Sequence, residues 1–136
     1  MWLCLNDGFF SVVRSTDPKF PDKLCVRARS REHIETVFPN HEVFDTPQRD
    51  YPCRVFVTSE ELSDLMLKRI GEIDYTNFKD SVREKSLSRS YMDIWGTMYE
   101  YGVEKALQGK GRFYEFKKDW NAWPSGPSVV VRGKRK

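Results

Sequence analysis

The chain has 136 residues, the size of one ordinary domain, and its 39% hydrophobic and 14% aromatic content excludes a disordered chain, while charges interrupt its apolar runs too often for a membrane span. The net charge of +3 belongs to the end of the chain, since without the four cations of residues 132–136 there remain 19 basic and 20 acidic residues. Three cysteines without metal-ligand spacing and a first segment without the basic start of a signal peptide predict a cytoplasmic protein.

The chain begins with a predicted β-hairpin. Apolar, branched and aromatic residues predominate at positions 2–6 and 9–15, and the Asn6-Asp7-Gly8 sequence where the two segments meet tolerates the positive φ of a tight turn. Two prolines and two aspartates within residues 16–22 predict a surface loop after the hairpin.

Two later segments alternate like strands with one buried face. Residues 23–30 place Leu24, Val26 and Ala28 on one side and Cys25, Arg27 and Arg29 on the other. Residues 51–58 place Tyr51, Cys53, Val55 and Val57 on one side and Arg54 and Phe56 on the other. We expect the apolar sides to face helices and the arginines to face away from them.

Helical patterns follow each of these strands. Ser30 is placed to cap a short helix over 31–38, and residues 41–44 predict a short edge strand. Thr58 and Glu61 have the spacing of a capping box. The long helix after this box has an apolar stripe of Leu62, Leu65, Met66, Ile70 and Ile73, and the next long helix has one of Leu87, Tyr91, Ile94, Trp95, Met98 and Tyr101.

This order of elements predicts an α+β fold, an antiparallel sheet of four to five strands with two to three helices packed on one face. Residues 1–108 form the predicted domain. Residues 109–136 form an aromatic C-terminal arm with two short strands and a basic tail. Whether this arm, which contains Trp120 and Trp123, covers the sheet stays open.

Catalytic motifs are missing from the sequence. The two histidines have no metal-ligand spacing, and the chain has neither a nucleophile motif nor a phosphate-binding loop. We therefore expect no catalytic residues, no metal and no cofactor. Two exceptions stay open: a Cys25 thiol whose pKa is lowered by Arg27 and Arg54, and an enzyme that uses Asp74, Tyr75 and Lys79.

The arginines suggest one candidate binding site. Arg27, Arg29, Arg54 and Phe56 share the predicted outer face of the sheet, and guanidinium groups beside an aromatic ring bind phosphate and stack on bases. A solvated sheet face of ordinary polarity explains the same pattern.

The joint between the two long helices suggests a second site. Its sequence, IDYTNFKDSV at 73–82, gathers acidic, aromatic, amide and basic side chains. Asp74 is placed to cap the residues after it, and Tyr75 and Phe78 to dock between the helices, which describes a structural corner. The same segment can also form a small-molecule cleft, with Asp74, Tyr75, Asn77, Phe78 and Lys79 as binding residues.

Four stretches, MWLCLNDGFFSVV at the start, VRAR at 26–29, DYPCRVFV at 50–57 and IDYTNFKDSV at 73–82, resemble a family of short uncharacterised proteins from bacteria and their phages. The resemblance covers about the first 100 residues. It implies no reaction, cofactor or site residue. It does imply a context in which small proteins act by binding, for example as inhibitors of host defence systems.

Two functions are then open as hypotheses. The first is a small intracellular binding protein without enzymatic activity that acts on a protein partner, because its aromatic residues are the type that dominates interface hot spots. The second is a nucleic-acid or nucleotide-binding module that uses the arginines of the sheet. Neither involves a membrane, and the oligomeric state stays open.

Overall fold

The computed structural model describes residues 1–110, 113–116 and 129–132, with side chains up to residue 108. The chain divides into two compact units, Met1–Tyr91 and Met92–Lys136. Of the predicted C-terminal arm, the two short strands lie within the described residues, whereas Trp120, Trp123 and the basic tail lie outside them.

The first unit is built on an antiparallel sheet of five strands, in the order β1-β2-β3-β5-β4. The predicted α+β fold is therefore confirmed. The strands are β1 (Trp2–Leu5), β2 (Gly8–Arg14), β3 (Leu24–Ala28), β4 (Phe44–Asp45) and β5 (Cys53–Val57). Helix α1 (Arg31–Val37) follows β3, and helix α2 (Ser59–Gly71) follows β5.

One face of the sheet and these two helices enclose the main core. Alternation along β2, β3 and β5 sends every second side chain inward, as the period of a strand requires. These side chains meet apolar residues of α1 and the first half of α2. The cluster contains Phe10, Val12, Val26, Ala28, Ile34, Val37, Phe38, Cys53, Val55, Val57 and Leu62.

The β1–β2 turn differs from the prediction. Gly8 pairs with Leu5 as the first residue of β2, so Asn6 and Asp7 alone form the turn, and neither has a positive φ. Gly8 is required for close packing instead. A Cβ atom there would lie 2.6 Å from Cζ of the buried Phe10 ring and 3.1 Å from Cβ of His33, and a fully buried ring cannot move aside cheaply.

The helix ends depart from the predictions in two places. Thr58 and Glu61 form the predicted capping box at the start of α2. Ser30 occupies the N-cap position of α1 but makes no capping hydrogen bond with its side chain. Asn77, and not Asp74, caps the short helix α3 (Phe78–Ser81), accepting a hydrogen bond from the backbone N–H of Lys79.

The apolar stripe of α2 is only half buried. Leu62 is in the core and Leu65 packs against it, whereas Ile70 and Ile73 are exposed, together with Leu67. The prediction of one continuous inward stripe was wrong for the second half. Periodicity identifies the side chains that share a helix face, but it does not say how much of that face another element covers.

A second, smaller cluster lies at the start of the last helix, α4 (Lys85–Lys110). Leu87 and Tyr91 of this helix are buried with Val82, and the partly buried Phe9 and Phe78 pack against them. Phe9 precedes the core residue Phe10 and therefore projects from the other side of β2.

The second unit contains the rest of α4 and an antiparallel pair of strands, β6 (Phe113–Phe116) and β7 (Val129–Arg132). Along this part of α4, Ile94, Met98 and Tyr101 are exposed, so the predicted stripe is buried only as far as Tyr91. No helix in the described part of the chain is long and apolar enough to cross a membrane.

Candidate functional site

Tyr51 lies on the arginine side of the sheet, not on the core side that the alternation suggested. Strand β5 begins at Cys53, after Pro52, so the period of two does not extend back to Tyr51. The ring of Tyr51 is buried, and the Cζ atoms of Arg27 and Arg29 lie 4.8 Å and 4.3 Å from its centroid. One aromatic ring therefore supports two guanidinium groups through cation–π contacts.

The register of the sheet brings a third arginine to the same place. Arg27 on β3 pairs directly with Arg54 on β5, so their side chains leave the same face of the sheet side by side. Like charges directly opposite each other on paired strands are destabilising. The arrangement therefore needs either compensation within the protein or a counter-charge from outside.

Among the residues whose side chains the structure describes, the compensation is neutral. Arg27 donates from Nη2 to Oγ of Ser11 at 2.7 Å, and Arg54 donates from Nε to Oγ1 of Thr46 at 2.8 Å. Within the described residues, no carboxylate oxygen lies within 4.0 Å of a nitrogen of Arg27, Arg29 or Arg54. Nε of Arg27 is buried and finds no acceptor among these residues, and an unsatisfied buried donor costs about 1–3 kcal/mol.

Phe56 does not belong to the exposed part of this site. It is buried, and the ring of Phe20 stacks on it at a centroid distance of 4.1 Å and an interplanar angle of 12°. Phe44 closes the cluster from the side, 5.6 Å from Phe56. The aromatic platform that the sequence assigned to Phe56 is therefore covered in this arrangement.

The edge strand offers an exposed ring instead. Trp2 is 68% exposed, and it pairs with Ser11, which in turn pairs with Arg27. Its ring meets Phe9 edge-on at 5.6 Å. We call the set Trp2, Arg27, Arg29, Tyr51 and Arg54 the arginine face. The sequence indicated its three arginines, but Trp2 and Tyr51 needed the strand register to be recognised.

Cys25 lies beside this face but is not an activated thiol. Burial raises its pKa above the usual value, and this effect exceeds the opposing influence of Arg54 and Arg27. The suggestion that these cations lower the pKa of Cys25 was therefore wrong. Desolvation favours the neutral thiol, so Cys25 behaves as a small packed side chain.

The joint between the long helices borders a cavity of about 730 Å³, which we call the joint cavity. Asp74, Tyr75 and Asn77 line it, as the small-molecule interpretation requires. Phe78 instead packs against Tyr91 in the second cluster, and Lys79 is not among the lining residues. The complete wall consists of Asn6, Asp7, Glu32, His33, Thr36, Arg69, Asp74, Tyr75, Thr76, Asn77, Asp80, Ser81, Arg83 and Glu84.

One ion pair and one hydrogen bond cross the wall of the joint cavity. Arg69 of α2 lies 2.6 Å from Oδ2 of Asp7 in the β1–β2 turn, and Nε2 of His33 lies 3.1 Å from Oε2 of Glu84. Hydrogen bonds from Ser86 and then His33 lower the pKa of Glu84. Sequence reasoning missed Asp7, His33 and Arg69 because only tertiary packing brings them to the joint.

The described residues contain no group of three histidine, cysteine, aspartate or glutamate side chains that could hold a metal ion. The sequence matches no protein-family model, and comparison with curated proteins and with solved structures finds no similar protein.

Proposed function

We propose that this protein binds single-stranded nucleic acid on the arginine face. One observation carries the proposal: Arg27 and Arg29 lie over the ring of Tyr51, Arg54 pairs with Arg27, and none of the three has a carboxylate within 4.0 Å in the described part of the chain. Three unneutralised guanidinium groups favour an anion, and the planar guanidinium matches the oxygen atoms of a phosphate.

The geometry of the face favours a strand over a single phosphate ion. Neighbouring strands lie about 4.8 Å apart, so Arg27 and Arg54 can share one phosphate group, while Trp2 lies about two strand spacings from Arg27. The exposed indole ring of Trp2 is then in reach of a base attached to the same backbone. Stacking on an aromatic ring together with phosphate contacts is the common mode of single-strand recognition.

The aromatic residues support this choice over a protein partner. The protein-partner hypothesis assumed that many aromatic rings remain outside the core. In the first unit, Phe10, Phe38, Tyr51, Phe56 and Tyr91 are buried. Trp2 is the exposed tryptophan of that unit, and it lies on the arginine face.

A fluorescence-anisotropy titration with a short labelled oligothymidine at low salt tests the proposal. Arg54→Ala should weaken binding by about tenfold, the equivalent of roughly 1.4 kcal/mol. It should also make the slope of log K against log salt concentration less steep by about one, the amount expected for the loss of one phosphate contact. Arg89→Ala, at an exposed position of α4, removes the same charge elsewhere and should change affinity little.

Trp2→Ala separates stacking from charge, because it should weaken binding without changing the salt dependence. Absence of binding by the unmodified protein at low salt would contradict the proposal. So would equal losses for Arg54→Ala and Arg89→Ala, since general electrostatic attraction would then explain the affinity.

A specific observation keeps protein binding as the second candidate. Leu67 and Ile70 in the second half of α2, and Ile73 just after its end, are 69%, 60% and 55% exposed. Apolar side chains grouped in this way are typical of surfaces that contact a protein. The resemblance to phage proteins makes a host protein, such as a component of a defence system, the partner to test.

Leu67→Glu with Ile70→Glu should abolish the recovery of a stoichiometric partner from host lysate, because charges placed in an apolar interface are costly to desolvate. Ser63→Glu with Ser90→Glu adds the same charge at two exposed serines and should retain the partner. If both double variants recover it equally, or the unmodified protein recovers none, this candidate is rejected.

A further inference from the structure

We propose that the joint cavity binds an organic cation through an ammonium or guanidinium group. This inference is independent of the arginine face, none of whose residues lines the cavity. The volume of about 730 Å³ lies within the range of pockets that hold small organic molecules. The charges of the wall then determine the kind of molecule.

Unpaired negative charge exceeds unpaired positive charge around the cavity. Five carboxylates line it; Asp7 is ion-paired with Arg69, and Glu84 is hydrogen-bonded to His33. Arg83 is the second guanidinium of the wall. The remaining three carboxylates have no basic nitrogen within 4.0 Å among the residues that the structure describes: Glu32, Asp74 and Asp80.

Buried acceptor atoms add to this excess. His33 is 9% exposed, and because the carboxylate of Glu84 can only accept, Nε2 of His33 carries the proton of their hydrogen bond. In the neutral ring, Nδ1 is then an acceptor. Within the described part of the chain, Nδ1 of His33 and Oδ1 of Asp7 are buried without a hydrogen-bond partner. Nε of Arg69 is a buried donor of the wall that likewise has no partner there.

An organic cation fits this wall better than an anion or a bare metal ion. Its N–H groups can donate to the carboxylates of Asp74 and Asp80, and its charge is offset by them. Tyr75, which also lines the cavity, brings an aromatic ring whose face attracts ammonium and guanidinium groups. An anion would meet three unpaired carboxylates, and the cavity is far larger than a single ion.

Isothermal titration calorimetry at low ionic strength tests the proposal with two cations and a neutral compound of similar shape. Agmatine is a free organic cation, N-acetyl-arginine amide presents an arginine side chain as a protein would, and N-acetyl-citrulline amide has the same shape without the charge. We expect both cations to bind and the citrulline compound not to bind. The tighter of the two cations identifies the source, a free amine or a protein side chain.

Asp74→Asn with Asp80→Asn should weaken cation binding by about tenfold or more, the loss expected for a charge-assisted contact. Both residues are exposed, and the substitutions keep their shape, so circular dichroism should show an unchanged fold. Glu60→Gln with Asp64→Asn removes the same charge from exposed positions of α2 outside the wall and should change affinity less than about twofold.

Three results would overturn the proposal. They are the absence of binding by both cations, equal binding of the citrulline compound, and equal losses in the two double variants. The last result would show general attraction to a negative surface. Because the arginine face takes no part in this titration, failure here leaves the nucleic-acid proposal intact.

Discussion

The hydroxyl group of Tyr91 connects the beginning of α4 to the first hairpin. It lies 2.9 Å from the carbonyl oxygen of Leu5 and 2.8 Å from that of Gly8, and it donates its proton to this pair. Burial, followed by the nearby Cys4, Asp7 and Glu84, raises the pKa of Tyr91 well above its usual value. One phenol thus contacts the backbone on both sides of the Asn6-Asp7 turn.

Tyr91→Phe should lower the free energy of unfolding by about 0.5–1.5 kcal/mol, because it removes a buried hydrogen-bond donor shared by two carbonyl groups while it changes the packing little. Urea denaturation followed by circular dichroism measures this change. Tyr101→Phe removes a hydroxyl from an exposed ring and should alter stability by less than about 0.5 kcal/mol. Equal effects of the two substitutions would mean that the Tyr91 hydroxyl group contributes nothing specific.

Helix α2 begins with the capping box that the spacing of Thr58 and Glu61 predicts. Thr58 accepts a hydrogen bond from the backbone N–H of Glu61 at 3.1 Å, and the Glu61 carboxylate accepts one from the N–H of Thr58 at 2.6 Å. The backbone bond from Thr58, together with the contact to His41, lowers the pKa of Glu61. The box fixes α2 where it leaves β5.

Thr58→Ala should destabilise the protein by about 1 kcal/mol in urea denaturation near neutral pH, the usual effect of losing an N-cap side chain. Glu61→Gln should be less stable than the unmodified protein only where Glu61 is ionised. Since its folded pKa is lowered, this stabilisation is present above the unfolded pKa of about 4.3 and is lost as the pH falls through the lower folded value. A stability difference that persists in acid would show that the charge is not involved.

For the molecule as a whole, the sequence predicted the parts of the fold in which local pattern and burial coincide. Strands β3 and β5 alternate because one face of the sheet is covered by α1 and α2, so the period of two was a reliable signal. The second half of α2 and the later turns of α4 have equally regular apolar stripes, yet Ile70, Ile73, Ile94 and Met98 are exposed. A stripe records which residues share a face, and only the tertiary structure shows what covers it.

The two candidate sites divide in the same way. The arginine pattern could be predicted because Arg27, Arg29 and Arg54 follow the strand period, but Tyr51 could not, because Pro52 interrupts that period. In the joint cavity, Asp74, Tyr75 and Asn77 are close together in the chain. Their opposite wall comes from pairs separated by 62 residues, Asp7 with Arg69, and by 51 residues, His33 with Glu84, which no local pattern connects.

The direct pairing of Arg27 with Arg54 affects how substitutions at these positions would change the thermal stability of the protein. A neutral side chain at either position would remove the repulsion between them, so a search for heat-resistant variants should accept neutral substitutions there readily. The same variants would lose part of the arginine face that we propose binds a phosphate. A gain in stability at these two positions would thus come with a loss of binding affinity, a trade-off that is common where a functional site is itself destabilising.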